Sequence, residues 1–81
     1  MKIRYFSWLK EITKKDYEIC NDKSIKNVTK LKKHLEIKYP KLKKHFKKDL
    51  IRTAVNNKYT IQNISLNKND EIAFFPPVSG G

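Results

Sequence analysis

Glycine is almost missing from this chain. It has only two, and both are its last residues, Gly80 and Gly81. That excludes any phosphate-cradling loop built on glycine, and it leaves the internal turns to asparagine, aspartate and lysine. A lone cysteine, Cys20, excludes an internal disulfide, and one thiol cannot nucleate a zinc site. Arginine is scarce too, with Arg4 and Arg52 the only two among 19 basic residues. The bidentate guanidinium fork that phosphate and base recognition favour is therefore thinly supplied. Apolar stretches stop after a few residues, as in Ile72-Ala73-Phe74-Phe75, so no membrane span is expected. The N-terminal stretch Met1 to Phe6 lacks the apolar segment and cleavage site of a secretory signal, which predicts a cytoplasmic protein.

Positive charge is what the chain has in excess. Its 81 residues carry a formal +11, with eight acidic residues against the basic ones. Lysine, asparagine and isoleucine are the residues that A/T-rich codons specify, so coding bias accounts for such a surplus without a function behind it. The densest cluster is Lys41, Lys43, Lys44, Lys47 and Lys48 around His45. It reads as a solvated face, with a dedicated patch for an anionic partner as the alternative, and no specific nucleic acid is expected as a partner. At this length the chain makes one domain with a small core.

Residues 1–9 carry β-branched and aromatic types in imperfect alternation (Ile3, Tyr5, then Phe6 and Trp8), which predicts a strand. Lys14-Lys15-Asp16 reads as a turn, with Tyr17 to Cys20 as the returning strand. Ser24 is the expected N-cap of a helix running to about Tyr39. Its apolar stripe is Ile25, Val28, Leu31, Leu35 and Tyr39, at spacings of three and four. Pro40 should end it, with Leu42 and Phe46 packing through an irregular or short helical segment. Ile51 to Val55 is a strand followed by the tight turn Asn56-Asn57. Ile61, Ile64 and Leu66 are apolar anchors in a polar stretch, a short strand or loop. The turn Lys68-Asn69-Asp70 feeds the last strand, Glu71 to Phe75, and Pro76-Pro77 ends pairing because neither has an N–H to donate. The order predicts an α+β domain, a mixed sheet packed against one main helix.

No internal catalytic constellation is visible. His34 and His45 lack metal-ligand spacing to a Cys or a pair of carboxylates and read as surface histidines, with no metal expected. Cys20 reads as a small apolar strand residue, with a thiol nucleophile as the alternative. The two terminal glycines are more informative. They follow a strand and a rigid Pro-Pro step, so residues 77–81 are expected to project as a tail from a domain spanning 1–76. Two residues without Cβ atoms can enter a channel too narrow for side chains. The group presented there is the Gly81 carboxylate, a poor electrophile that an ATP-using partner can activate as an acyl-adenylate.

The stretch Asp70-Glu71-Ile72-Ala73-Phe74-Phe75-Pro76-Pro77-Val78-Ser79-Gly80-Gly81 resembles the C-terminal signature of the molybdopterin synthase small subunits, ubiquitin-like sulfur carriers. Phe6-Ser7-Trp8-Leu9-Lys10-Glu11, Tyr39-Pro40 and Ala54-Val55-Asn56 agree with it, with Ser79 where the family often has Thr. The resemblance implies a β-grasp fold, with the reactive end at Gly81 beside Gly80. It implies partner contacts at Phe75, Pro76, Pro77, Val78 and Ser79, with Phe6, Lys10 and Tyr59 nearby. The implied partners are a ubiquitin-activating-type adenylyltransferase that uses ATP, a sulfur-donor enzyme, and a large subunit in a complex of two small and two large chains. The large subunit would hold the catalytic groups, and this chain would bind no cofactor of its own. A sulfur carrier for thiazole synthesis or tRNA thiolation, a ubiquitin-like protein modifier and a basic nucleic-acid-binding module are the alternatives.

Overall fold

The computed structural model describes residues 1–77. Eight elements follow one another: β1 (Lys2–Tyr5), α1 (Leu9–Thr13), β2 (Tyr17–Ile19), α2 (Val28–Lys38), α3 (Pro40–Lys47), β3 (Arg52–Val55), β4 (Lys58–Thr60) and β5 (Glu71–Phe75). The five strands form one sheet in the order β2-β1-β5-β3-β4. Only the β1–β5 pairing is parallel, so the sheet is mixed, as the sequence predicts. Its last strand in sequence lies at its centre. That placement leaves β5 no free edge, since it bonds to β1 on one side and β3 on the other.

Alternation along the strands sets the two faces. Ile3, Tyr5, Thr53, Val55, Ile72 and Phe74 point inward and are buried. Val28, Leu31 and Leu35 of α2, with Leu42 of α3 and Leu9 of α1, close over them. The expected stripe is therefore the core-facing one, and at about 25 cal/mol per Å² of apolar area it carries much of the folding free energy. Across the core Phe46 meets Phe74 edge to face at 5.6 Å between centroids. No helix among the described residues is long and apolar enough to cross a membrane.

Three expectations need correction and two hold. The first strand stops at Tyr5 rather than running to residue 9, because Ser7 takes a left-handed φ of 58° and turns the chain into α1. Ser24 does not cap the main helix. Its hydroxyl and amide bond to Asp22 Oδ1 at 2.7 and 2.9 Å in a local turn, while Asn27 Oδ1 accepts from the Lys30 amide at 2.8 Å and caps α2. Pro40 ends α2 as expected, and the short helical segment expected for Leu42 and Phe46 is α3, which Pro40 begins from a first-turn position where its missing N–H costs nothing. The one main helix expected is α2, the longest of the three helices among the described residues, and only α1 comes in addition to the expected ones. Ile61 is no anchor, being 85 % exposed, whereas Leu66 is buried.

With no internal glycine, the left-handed turns fall to other residues. Asn56 and Asn57, at φ 51° and 69°, make the two-residue connection between β3 and β4. Positive φ at both central positions suits the right-handed twist of the strands, and asparagine tolerates it better than any other side chain but glycine.

Glu18 ties the sheet to the helices. Its carboxylate accepts from the Tyr5 and Tyr39 hydroxyls, each at 2.6 Å, and from the Lys38 ammonium. Burial alone would raise its pKa, but the bonds from Lys38, Tyr39 and Tyr5 outweigh that and hold it at about 2. Burial pushes the Tyr5 hydroxyl far above its usual range, with Glu18 adding to the shift.

Candidate functional site

The outward residues of the sheet meet no covering helix among those described. Across the middle of this face run Lys2 and Arg4 from β1, Glu71, Ala73 and Phe75 from β5, and Arg52 and Ala54 from β3. The edges add Tyr17 and Ile19 from β2 and Tyr59 from β4. Tyr17, Ile19 and Tyr59 are all more than half exposed. Isolated surface apolar residues are ordinary, but Ala73, Ala54, Tyr59 and Phe75 are neighbours across β5, β3 and β4 and form an apolar band among the charged residues of this face, the kind of patch that marks a contact surface.

The band is most aromatic at the end of β5. Phe75 pairs across the strands with Arg52, and the Tyr59 ring lies 6.4 Å from the Phe75 ring at 52°. On the other side the Phe6 amide donates to the Phe74 carbonyl at 3.1 Å, which carries the β1 pairing one residue past the strand and sets Phe6 beside Phe75. Phe6 is 38 % exposed and Phe75 half-buried, while Phe74 is inside. Burial thus separates the two phenylalanines: Phe74 belongs to the core, and Phe75, the one the resemblance names, lies on the open face.

Two arginines frame this stripe, and reasoning from the sequence missed both. The Arg4 guanidinium lies 5.2 Å from the Phe6 ring centroid and pairs with Glu71 at 3.2 Å. Arg52 pairs with Asp49 at 3.0 Å. Strand parity was the available signal, because Arg4 is two residues from Phe6 and Arg52 shares a face with Ala54. These pairs are solvent-accessible and add little to stability, so the guanidinium groups are free to exchange partners when another surface arrives.

Lys10 is only partly brought in. It sits on α1 at the same end of the sheet as Phe75, but its ammonium is engaged by Asp16 at 3.3 Å. Pro76 and Pro77 continue β5 beyond the ladder and are half-buried. Val78, Ser79, Gly80 and Gly81 lie outside the described residues.

Cys20 is half-buried at the opposite pole. Its amide donates to the Met1 carbonyl at 2.8 Å, and the Met1 amino group donates back to the Cys20 carbonyl at 2.8 Å. Because β1 and β5 are parallel and Lys2 pairs with Glu71, Met1 and Phe75 mark opposite ends of the sheet, roughly 16 Å apart along the strands at about 3.3 Å per strand residue. Cys20 opens on a cleft of about 670 Å³ shared with Lys23, Lys26 and Lys68. The histidines are not free surface groups as expected. Both are half-buried, and His45 lies against Trp8 with centroids 4.7 Å apart, which joins α3 to the residue before α1. Among the described residues no three His, Cys, Asp or Glu side chains gather as a metal site would require.

Comparison with known proteins gives this geometry its context. The model of the ThiS family matches residues 3–81. The molybdopterin synthase sulfur carrier subunit of Dictyostelium discoideum is 38 % identical over 86 residues, covering 99 % of this chain and 94 % of its own. Among solved structures, a candidate molybdopterin converting factor subunit 1 of Pyrococcus furiosus superposes with a TM-score of 0.83 at 23 % identity, covering 95 % of each chain. The small archaeal modifier protein SAMP1 of Methanosarcina acetivorans superposes at 0.77 with 26 % identity, covering 99 % of this chain and 94 % of its own. The five-strand sheet and its helices are those of a ubiquitin-like β-grasp fold.

Proposed function

Since the chain belongs to the ThiS family and is a homologue of a molybdopterin synthase sulfur carrier subunit, we propose that it carries sulfur as a thiocarboxylate on Gly81 in a cytoplasmic molybdopterin synthase. The observation that supports this most is near-full-length similarity to a sulfur carrier subunit, in a chain that reserves its two glycines for positions 80 and 81. An adenylating partner attaches AMP to the Gly81 carboxylate and releases pyrophosphate. A persulfide donor then attacks the acyl carbon through its outer sulfur and AMP departs; a thiol reduces the resulting acyl disulfide, leaving the thiocarboxylate on Gly81 and the donor joined to that thiol as a disulfide. The thiocarboxylate sulfur next attacks a carbon of cyclic pyranopterin monophosphate and displaces its oxygen substituent, and a second carrier repeats the step at the neighbouring carbon so that the two sulfurs of the dithiolene are supplied. Water cleaves the acyl–sulfur bond, so the sulfur stays on the product and Gly81 regains its carboxylate.

Each partner contributes what this chain lacks. The acid and base groups belong to the large subunit, and the chain supplies a tethered sulfur of high effective concentration. Phe75, with Phe6 and Tyr59 beside it, forms the apolar centre of the docking face, while Arg4, Arg52 and Lys10 supply its charged rim. Pro76, Pro77, Val78 and Ser79 lead from that face to Gly80 and Gly81, which thread the partner's channel. The same face serves the adenylating enzyme and the large subunit in turn, since both must reach one carboxylate.

The likeness to SAMP1 favours a second reading, in which Gly81 forms an isopeptide with a lysine of another protein. One experiment separates the two. The protein is incubated with an adenylating partner, ATP and a sulfur donor, and the C-terminal peptide is weighed. The carrier reading expects one oxygen exchanged for sulfur, confined to that peptide and abolished by deletion of Gly81. Sulfur mapping to Cys20 overturns the mechanism, and conjugates of higher mass without a thiocarboxylate favour the modifier.

A further inference from the structure

The helical layer of the molecule has a charge pattern that the sheet face does not share. Residues 28–48 hold nine lysines and one glutamate, a formal +8 of the protein's +11. Of those nine, only Lys38 forms an ion pair among the described residues. Both arginines lie outside this segment, on the sheet face. Coding bias spreads lysine along a chain. It does not segregate charge to one side of a fold, nor leave that side without counter-ions.

Between α2 and α3 runs an open groove of about 420 Å³. Lys32 and Lys33 line it from α2 and Lys43 and Lys47 from α3, with Glu36 toward one end. Half-buried Phe46 lies between them, and the Lys32 ammonium sits 5.6 Å from its ring. Phe46 also packs on Phe74, whose side chain points away from the Phe75 face. The groove and the proposed sulfur-transfer face are therefore on opposite sides of the sheet, and both can be occupied at once.

We propose that this groove docks an acidic segment of a partner protein, one whose carboxylates meet the lysine rim and whose single apolar side chain seats against Phe46. The choice follows from chemistry. Lysine ammonium groups pair with single carboxylates as point charges, whereas tight phosphate recognition draws on the arginine fork that this segment lacks. An aromatic floor between lysine stems rewards an apolar anchor, which neither a phosphodiester backbone nor a layer of lipid headgroups offers at that spacing.

The test uses the full chain at about 0.15 M ionic strength, where loose charge attraction is screened beyond about 8 Å. Fluorescence anisotropy compares a labelled glutamate peptide bearing one central leucine, the same peptide with alanine there, a single-stranded RNA of equal charge, and vesicles containing phosphatidylserine. The leucine peptide should bind at least about fivefold tighter than the alanine peptide, the ratio that burying part of a leucine produces. The triple variant Lys33→Glu, Lys43→Glu, Lys47→Glu alters exposed residues only, and it should weaken binding by about tenfold or more. A control of equal charge change elsewhere, Lys23→Glu, Lys58→Glu, Lys68→Glu, should weaken it much less. Equal losses in the two variants, or indifference to the leucine, would show general attraction and overturn the proposal. So would RNA or vesicles binding as tightly as the leucine peptide. None of these outcomes bears on the Gly81 reaction, which uses the other side of the molecule.

Discussion

Glu18 is the side chain on which the most interactions converge, and its environment makes stability depend on pH in one direction. Its pKa is about 2 in the folded protein against 4.5 when unperturbed. A depressed carboxyl pKa contributes stability that is full above the unfolded value and is lost as pH falls toward the folded one. Glu18→Gln should therefore lower stability by on the order of 2 kcal/mol above pH 5, and the gap to the parent should narrow from pH 5 down to pH 2. Thermal melts of both proteins across that range check it, and a gap that is constant with pH would assign the loss to packing alone. Lys14 illustrates a different cost. It ends α1 at φ 63°, a conformation in which a Cβ crowds the backbone, and its amide closes the turn onto the Lys10 carbonyl at 2.7 Å. Lys14→Gly keeps that bond and removes the crowding, so it should raise stability by about 0.5–1 kcal/mol by chemical denaturation. A loss of stability would mean that the lysine stem makes a packing contribution larger than the strain.

Among the elements, α2 carries the core, and its first turn shows how a start site is selected. Ser24 has the chemistry of a cap but lies four residues before the first helical position, Val28. Asn27 succeeds because it is immediately adjacent and because the chain around it is held by a bridge to Ser65 and by the Val28 amide donating to Ile64 at 3.1 Å. Asn27→Ala should cost about 1 kcal/mol, the usual loss for an N-cap. Ser24→Ala, which breaks only an exposed local bond, should cost at most about half of that. Equal effects in denaturant titrations would place the helix start further upstream. Strand β5 shows the complementary case, where local pattern is enough. Its Glu-Ile-Ala-Phe-Phe alternation puts Ile72 and Phe74 on one face and Ala73 and Phe75 on the other, and the face of Ile72 and Phe74 is the one essentially inaccessible to solvent.

For the molecule as a unit, two layers produce two unlike surfaces. One side of the sheet is sealed by helices whose outer faces are lysine-rich, and the other stays open, with the Tyr59 ring against Phe75 and Phe6 following β1 on the far side of β5. Phe75→Asp tests what the open side is for. Phe75 is only half-buried, so an aspartate there can remain solvated in the monomer, whereas a partner's apolar surface would strand its charge. The variant should keep a folded circular dichroism spectrum and a melting temperature within a few degrees of the parent. Its binding to a molybdopterin synthase large subunit should fall by at least about a hundredfold, as for a central contact residue. Unfolding of the isolated variant would instead make Phe75 a core residue and remove it from the docking face.

Features carried by a few adjacent residues were legible in the amino-acid order alone. The turn at Asn56-Asn57, the strand from Glu71 to Phe75, the stripe Val28, Leu31 and Leu35, and the terminal glycine pair each depend on backbone preference or short-range period. Residues fixed by distant neighbours were not legible. Trp8 looked like a strand residue, because nothing local announces that Ser7 turns the chain or that His45, 37 positions away, receives the indole. Ser24 and Asn27 are both competent caps in isolation, and the choice was made by Ser65 and Ile64. Arg4 and Arg52 are 48 residues apart and became a frame for one aromatic stripe only once β5 was inserted between β1 and β3. Local chemistry acts within a turn or a strand, whereas sheet order is settled by which buried faces can be sealed together, and that depends on the chain as a whole.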